Sequence, residues 1–158
     1  MRFMVIIKAD ASFEAGEMPS ERLLGEFGKY NEDLVRAGVL LACEGLHPSS
    51  DGARVKISGS KRTVVDGPFT ETKELIAGFW LIQVTSKEEA IEWAKRIPNP
   101  DGVDAEVEIR RVFEAADFGA EITPELASRS PTAEAGVRRH DSAHRTCTGP
   151  ESWCDWEP

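Results

Sequence analysis

The sequence predicts an α+β domain: a split βαβ, ferredoxin-like sheet with an extra β-hairpin and two helices on one face. Three observations predict it. Short strand-like runs recur around residues 2–9, 39–46, 77–84 and 105–113, and two helical stripes separate them. A pair of alternating segments flanks a glycine turn between residues 54 and 66. The resulting order, β-α-β-(β-hairpin)-β-α-β, is that of a split βαβ sheet in which strands parallel in direction are interleaved with antiparallel ones.

Arg2–Ala9 (RFMVIIKA) is β-branched and almost continuously apolar, as a central strand covered on both faces should be. A polar loop follows. A helix then starts near Ser20, just behind Pro19, with Leu23, Phe27, Tyr30 and Leu34 on one stripe. Gly38 stands where a left-handed cap stops a helix, and Gly28 within it costs about 1 kcal/mol relative to Ala. Val39–Leu46 is the second strand. Arg54–Ser58 and Thr63–Asp66 alternate around the hairpin turn Gly59-Ser60-Lys61-Arg62. Ala77–Val84 (AGFWLIQV) is the most apolar strand after the first. Ser86 as N-cap and Glu89 at N3 form a capping box. The helix that follows puts Ala90, Trp93, Ala94 and Ile97 on one face and ends at Pro98. Finally, in Ala105–Phe113, Ala105, Val107 and Ile109 oppose Glu106, Glu108 and Arg110.

Two strands are apolar in both registers: Phe3, Val5 and Ile7 against Met4 and Ile6, and Phe79 and Leu81 against Trp80 and Ile82. Helices on one side cover one set. The other set predicts a homodimer, sheet against sheet, closing a dimeric α/β barrel.

With 158 residues, 41% hydrophobic and 30% charged, the chain has the composition of one soluble domain. No run approaches the roughly 18 apolar residues of a membrane span, and Met1–Asp10 lacks the layout of a signal peptide. Three cysteines, Cys43, Cys147 and Cys154, are too few for a disulfide framework and fit a reducing cytoplasm. A net charge of −9 argues against nucleic acid and anionic membrane as partners. Residues 1–118 are patterned as the folded domain. Residues 119–158, rich in Ser, Thr, Pro and Ala, are expected to be a disordered tail with at most one short helix around Pro124–Ser128. Within that tail His140, His144, Cys147 and Cys154 match no zinc-module spacing, so neither a metal nor another cofactor is expected.

The least generic stretch is Asp66-Gly67-Pro68-Phe69-Thr70-Glu71-Thr72-Lys73-Glu74. Asp-Gly-Pro is a turn on physical grounds, since Gly67 tolerates backbone angles that others avoid and Pro68 fixes its own φ. Continued as Leu75-Ile76-Ala77-Gly78-Phe79-Trp80-Leu81-Ile82, and then as Glu89-Ala90-Ile91-Glu92-Trp93-Ala94, the segment resembles the DGPF-motif branch of the YCII-related family. The resemblance covers about residues 1–113. It implies a ferredoxin-like dimeric α/β barrel, members mostly of unassigned activity, and a cleft between sheet and loops holding a His/Asp pair. Some relatives carry out lyase or dehalogenation chemistry on small aromatic acids. Asp66, Gly67, Pro68, Phe69, Glu71, Lys73 and Glu74 occupy motif positions, and His47 stands where the branch carries Gln or His. The early His of shorter relatives has no counterpart between Glu26 and Tyr30.

His47 and Asp66 fall at strand ends near one rim, where a carboxylate can orient an imidazole as a base. The plainer reading, which Asp before Gly favours, is His47 as a loop histidine and Asp66 as a turn carboxylate bonded to the backbone of Phe69 or Thr70. Lys73 suits a carboxylate ligand and Glu74 an acid or base; both also suit a solvated short helix capped by Thr70, as Glu71 does. Phe69 and Trp80 suit a planar ligand or, with Phe79 and Tyr30, plain packing. Lys8 and Glu44 read as rim charges. The candidate site is therefore His47, Asp66 and Glu74 for catalysis, with Phe69, Lys73 and Trp80 for ligand binding. The function these residues suit is binding a small organic acid, with or without proton-transfer (isomerase or lyase) chemistry. The alternative is a non-catalytic dimeric regulatory or interaction module, because related chains also occur beside transcription regulators.

Overall fold

The computed structural model describes residues 1–69, 74–114 and 117. The expected tail, with its His and Cys residues, lies outside them, as do Thr70, Glu71, Thr72 and Lys73. The elements run β1 (Arg2–Lys8), α1 (Ala11–Glu14), α2 (Glu21–Arg36), β2 (Leu40–Gly45), a 3₁₀ turn (Ser49–Asp51), β3 (Ala53–Ser58), β4 (Lys61–Asp66), β5 (Ile76–Gln83), α3 (Lys87–Ala94) and β6 (Val107–Arg111).

β2, β5, β1 and β6 form one sheet in that order, and every ladder is antiparallel. β1 and β2 point the same way and are split by β5, which is the predicted ferredoxin-like topology. α2 and α3 share one face. Phe27, Tyr30 and Leu34 of α2 and Ala90 of α3 pack against Phe3, Val5, Cys43, Trp80 and Ile82 in a single core. Leu34 is fully buried, so its truncation to Ala costs about 2–5 kcal/mol. Phe27 and Tyr30 both lie against Trp80, Tyr30 edge-on at 5.5 Å between ring centroids, and Trp80 Nε1–H donates to Asn31 Oδ1 at 2.8 Å.

The helix boundaries follow their caps. The Ser20 hydroxyl accepts from Leu23 N–H, and Gly38 takes φ 70° just beyond the last turn of α2. Ser86 caps α3 as predicted, yet Glu89 reaches past it and accepts both Thr85 N–H and Thr85 Oγ–H. α3 ends at Ala94, earlier than the sequence predicts. Arg96 N–H and Ile97 N–H tighten onto Trp93 and Ala94 instead, and Ile97 still meets the core. α1 replaces part of the predicted polar loop, capped by Asp10, whose side chain accepts from Phe13 N–H at 2.7 Å. The last strand is shorter than Ala105–Phe113, with Val107 and Ile109 toward the helices.

β3 and β4 form a separate two-stranded ribbon, turning at Gly59-Ser60 with Gly59 at φ 57°. The turn is two residues rather than four, so β4 begins at Lys61. Every residue of both strands is exposed.

Candidate functional site

The turn after β4 is fitted to the 3₁₀ turn Ser49–Asp51. A Cβ on Gly67 would stand 1.6 Å from the Ser49 carbonyl oxygen, so no other residue fits there without moving backbone. Gly67 N–H donates to Gly52 O at 2.9 Å, and Phe69 N–H donates to Ser49 Oγ at 3.0 Å. Ser49 in turn donates its hydroxyl to the Glu14 carboxylate, and its N–H lies 3.2 and 3.3 Å from the two Glu14 oxygens. Among the described residues, Ser49 is the one buried polar side chain outside the aromatic and thiol groups of the core. Its burial is tolerable because each of its polar groups is bonded. Glu14, Ser49 and Phe69 thus tie α1, the 3₁₀ turn and the Asp66–Phe69 turn together. The Arg54 guanidinium covers the Phe69 ring at 4.1 Å.

Among the described residues no ion pair joins His47 to Asp66. Among them His47 Nδ1 lies 3.3 Å from the Asp51 carboxylate, one helical spacing away. This pair is 72% and 66% exposed, so it contributes about 0–1 kcal/mol. Asp66 ends β4 opposite Ala53, exposed at the root of the ribbon. Glu74 is exposed one residue before the buried Leu75, whose carbonyl accepts Ala9 N–H. Phe69 is half-buried within the Ser49 cluster. Lys73 lies outside the described residues. Trp80 is 3% exposed in the core and lines, with Ile7, Asn31, Cys43, Glu44 and Phe79, a pocket of about 10 Å³, room for one water. A larger groove of about 220 Å³ lies on the helix layer between Glu26, Lys29, Tyr30, Asp33, Arg96 and Pro98. Neither takes a lining residue from the Asp66–Phe69 turn.

The sheet face away from the helices carries Met4 and Ile6 of β1, Phe79 and Leu81 of β5 and Ala42 of β2, side by side in register. Charges border them. Lys8 Nζ meets Glu108 Oε2 at 2.7 Å, and Arg110 also bonds Glu108. The Lys8 hydrogen bond, then that of Arg110, hold the Glu108 carboxyl below the ordinary carboxylate range. Among the described residues no group of three or more His, Cys, Asp or Glu is placed to hold a metal ion. No helix of those residues is long and apolar enough to cross a membrane.

The Glu14–Ser49 clamp is what sequence reasoning missed. The His47–Asp51 pairing had a visible signal, its i,i+4 spacing. The YCII-related domain model matches residues 1–115, most of the chain and all but Asp117 of the residues described above. The chain belongs to the YCII-related domain family. An uncharacterised protein of Rhizobium meliloti (strain 1021) is 33% identical over 90 residues, covering 57% of this chain and 73% of that protein.

Proposed function

We propose that this YCII-related protein, of the branch marked by its Asp66-Gly67-Pro68-Phe69 turn, is a cytoplasmic homodimer that binds a small organic acid beside that turn. The observation that carries the reading is the apolar sheet face on the side away from α2 and α3. Met4, Ile6, Phe79 and Leu81 make an apolar strip on the side away from the core that α2 and α3 pack against, with Ile6 buried and the other three half-buried, and Lys8, Glu44, Glu108 and Arg110 frame its edges. A second copy laid across this strip buries it by two-fold symmetry and gives walls to a chamber that one chain leaves open.

In this reading His47, Asp66 and Glu74 stand at the chamber rim as candidate proton-transfer groups. Phe69, Lys73 and Trp80 are the ligand-binding residues of this reading. The exposure of His47, Asp66 and Glu74 in a single chain is what supports placing a partner there, since a base in open water competes with solvent for its substrate. The fully exposed ribbon favours the second reading, a non-catalytic interaction module of the kind that works beside transcription regulators.

Sedimentation equilibrium separates the structural half of the reading. Wild type is expected to be dimeric, and Leu81→Glu, which sets a charge in the strip, to be monomeric yet folded. A dimer unaffected by Leu81→Glu refutes the sheet-face assembly. Calorimetric titration with benzoate tests the site: Asp66→Asn and His47→Gln each weaken binding about tenfold or more. Wild type that takes up no carboxylate while remaining dimeric favours the interaction module.

A further inference from the structure

The two faces of the β3–β4 ribbon differ in charge. Its register pairs Arg54 with Val65 and Lys56 with Thr63, and strand alternation sets these four side chains on one face. Asp66, the ribbon's one carboxylate, lies on the other face with Val55, Ile57, Arg62 and Val64. Among the described residues neither Arg54 nor Lys56 forms an ion pair. Outside the ribbon, eight of the described lysines and arginines lie within 4.0 Å of a carboxylate, and Lys29 and Lys87 do not. In a chain of net charge −9, whose other cations are mostly matched, Arg54 and Lys56 stand side by side with no acid on their face.

Arg54 is also held in place. Its guanidinium carbon lies 4.1 Å from the centre of the Phe69 ring. Stacking occupies the face of a guanidinium and leaves its N–H edge for an acceptor. Phe69 is itself fixed, because its N–H donates to Ser49 Oγ at 3.0 Å and the Ser49 hydroxyl is bonded to Glu14. A donor fork on a rigid base is preorganised for a carboxylate. Lys56 is two residues further along the same face, roughly 6.6–6.8 Å away along the strand. That spacing suits a second acidic group, with the Thr63 hydroxyl and the Val65 methyls as the neighbours of whatever joins the two.

We infer that this face of the ribbon binds a short dicarboxylate such as glutarate, one carboxylate on the Arg54 fork and the other on the Lys56 ammonium. The choice of ligand rests on the small-acid reading above and narrows it from any small carboxylate to a two-headed one. Phe69 then acts through Arg54, as a positioning residue.

Calorimetric titration of the full-length chain compares glutarate with valerate, which has the same number of carbons and one carboxylate. Wild type is expected to bind glutarate about tenfold or more tightly than valerate. Lys56→Gln brings the two within about twofold, and Arg54→Lys, which keeps the charge without the fork, weakens glutarate about tenfold. Lys87→Gln removes one unpaired charge elsewhere and keeps the preference; its loss there means that net charge sets it and overturns the inference. Valerate bound as tightly as glutarate, or a preference that survives Lys56→Gln, overturns the inference and leaves the small-acid reading standing. Wild type that binds neither acid overturns both. A direct readout is the ¹⁵N resonance of Arg54 Nε, identified by its absence in Arg54→Lys. It should shift with glutarate at the calorimetric midpoint, and glutarate binding that leaves it unmoved overturns the assignment.

Discussion

Replacing Gly67 by Ala tests whether the turn after β4 is built against Ser49. The added methyl carbon would lie 1.6 Å from the Ser49 carbonyl oxygen and 2.6 Å from its carbonyl carbon. Ordinary van der Waals contact begins near 3.4 Å, so the two backbone segments must separate by about 1.8 Å. That exceeds what a hydrogen bond tolerates. Gly67 N–H to Gly52 O and Phe69 N–H to Ser49 Oγ are then lost, at about 1 kcal/mol each. The Arg54–Phe69 stack contributes a further 0.5–1 kcal/mol or so. The total, about 3 kcal/mol, is an upper limit, because the ribbon can undock and leave the four-stranded sheet intact. Thermal unfolding of Gly67→Ala should fall by no more than roughly 6–12 °C. Hydrogen exchange over residues 47–69 should accelerate far more than over β1 and β5. A variant that melts within about 1 °C of wild type, with unchanged exchange in that segment, refutes the packing of this turn against Ser49.

Ser49→Ala strips the clamp of its hydroxyl, leaving Phe69 N–H and the Glu14 carboxylate without it, and should cost about 1–3 kcal/mol in urea unfolding. Combined with Glu14→Gln it should be clearly non-additive, whereas additivity would mean the two groups do not act together. The chain has one tyrosine, so absorbance near 295 nm reads Tyr30 alone. Burial pushes its phenol up to about 12 against a smaller opposing pull from Arg96, and a folded-state midpoint near 10 would contradict its burial, with its hydroxyl donating to the Trp93 carbonyl. The raised value means that this stabilisation is whole below pH 10 and is lost as pH climbs toward about 12. Glu108 has the opposite sign: Lys8 and Arg110 depress it, so its contribution is present above the ordinary carboxylate range and fades as pH falls through the folded value. Glu108→Gln should therefore lower stability at neutral pH and flatten the acid limb, and a limb as steep as wild type counts against the Lys8–Glu108 pair.

What was legible in the sequence is what is encoded locally. Leu23, Phe27, Tyr30 and Leu34 give α2 its buried stripe, and Ser20 and Gly38 mark its ends within a residue. Strand parity sends Phe3, Val5, Trp80 and Ile82 to the helices and leaves Met4, Phe79 and Leu81 on the other face, before any topology is known. Where a side chain had two neighbours of similar reach, pattern could not choose. Glu89 bonds Thr85 instead of completing a box with Ser86, and His47 meets Asp51. The Glu14–Ser49–Phe69 chain was invisible because its bonds span 35 and 20 residues of sequence, with no periodicity to announce them. Gly67 shows the same limit. Asp-Gly-Pro announces a turn, but the need for glycine comes from the Ser49 carbonyl, which only the folded chain brings there.

The clamp also bears on how the Asp66–Phe69 turn relates to any chemistry at its rim. Asp66 and Phe69 lie three residues apart yet have different surroundings: Asp66 stands in solvent, and Phe69 is locked to Ser49 and covered by Arg54. A residue fixed this way is well suited to hold a neighbour in place, and an exposed carboxylate beside it is well suited to meet something arriving from outside. The division predicts different signatures for two substitutions. Phe69→Ala should lower stability and loosen the ribbon root, because it removes the surface on which Arg54 rests. Asp66→Asn should leave the melting temperature within about 1 °C, since an exposed carboxylate at a strand end carries little of the fold. Its effect should instead appear where the partner or ligand is read, in carboxylate titration or in the dimer constant. If Asp66→Asn destabilises the chain as much as Phe69→Ala does, the carboxylate is a structural part of the turn, and the rim loses the acid on which its proposed chemistry depends.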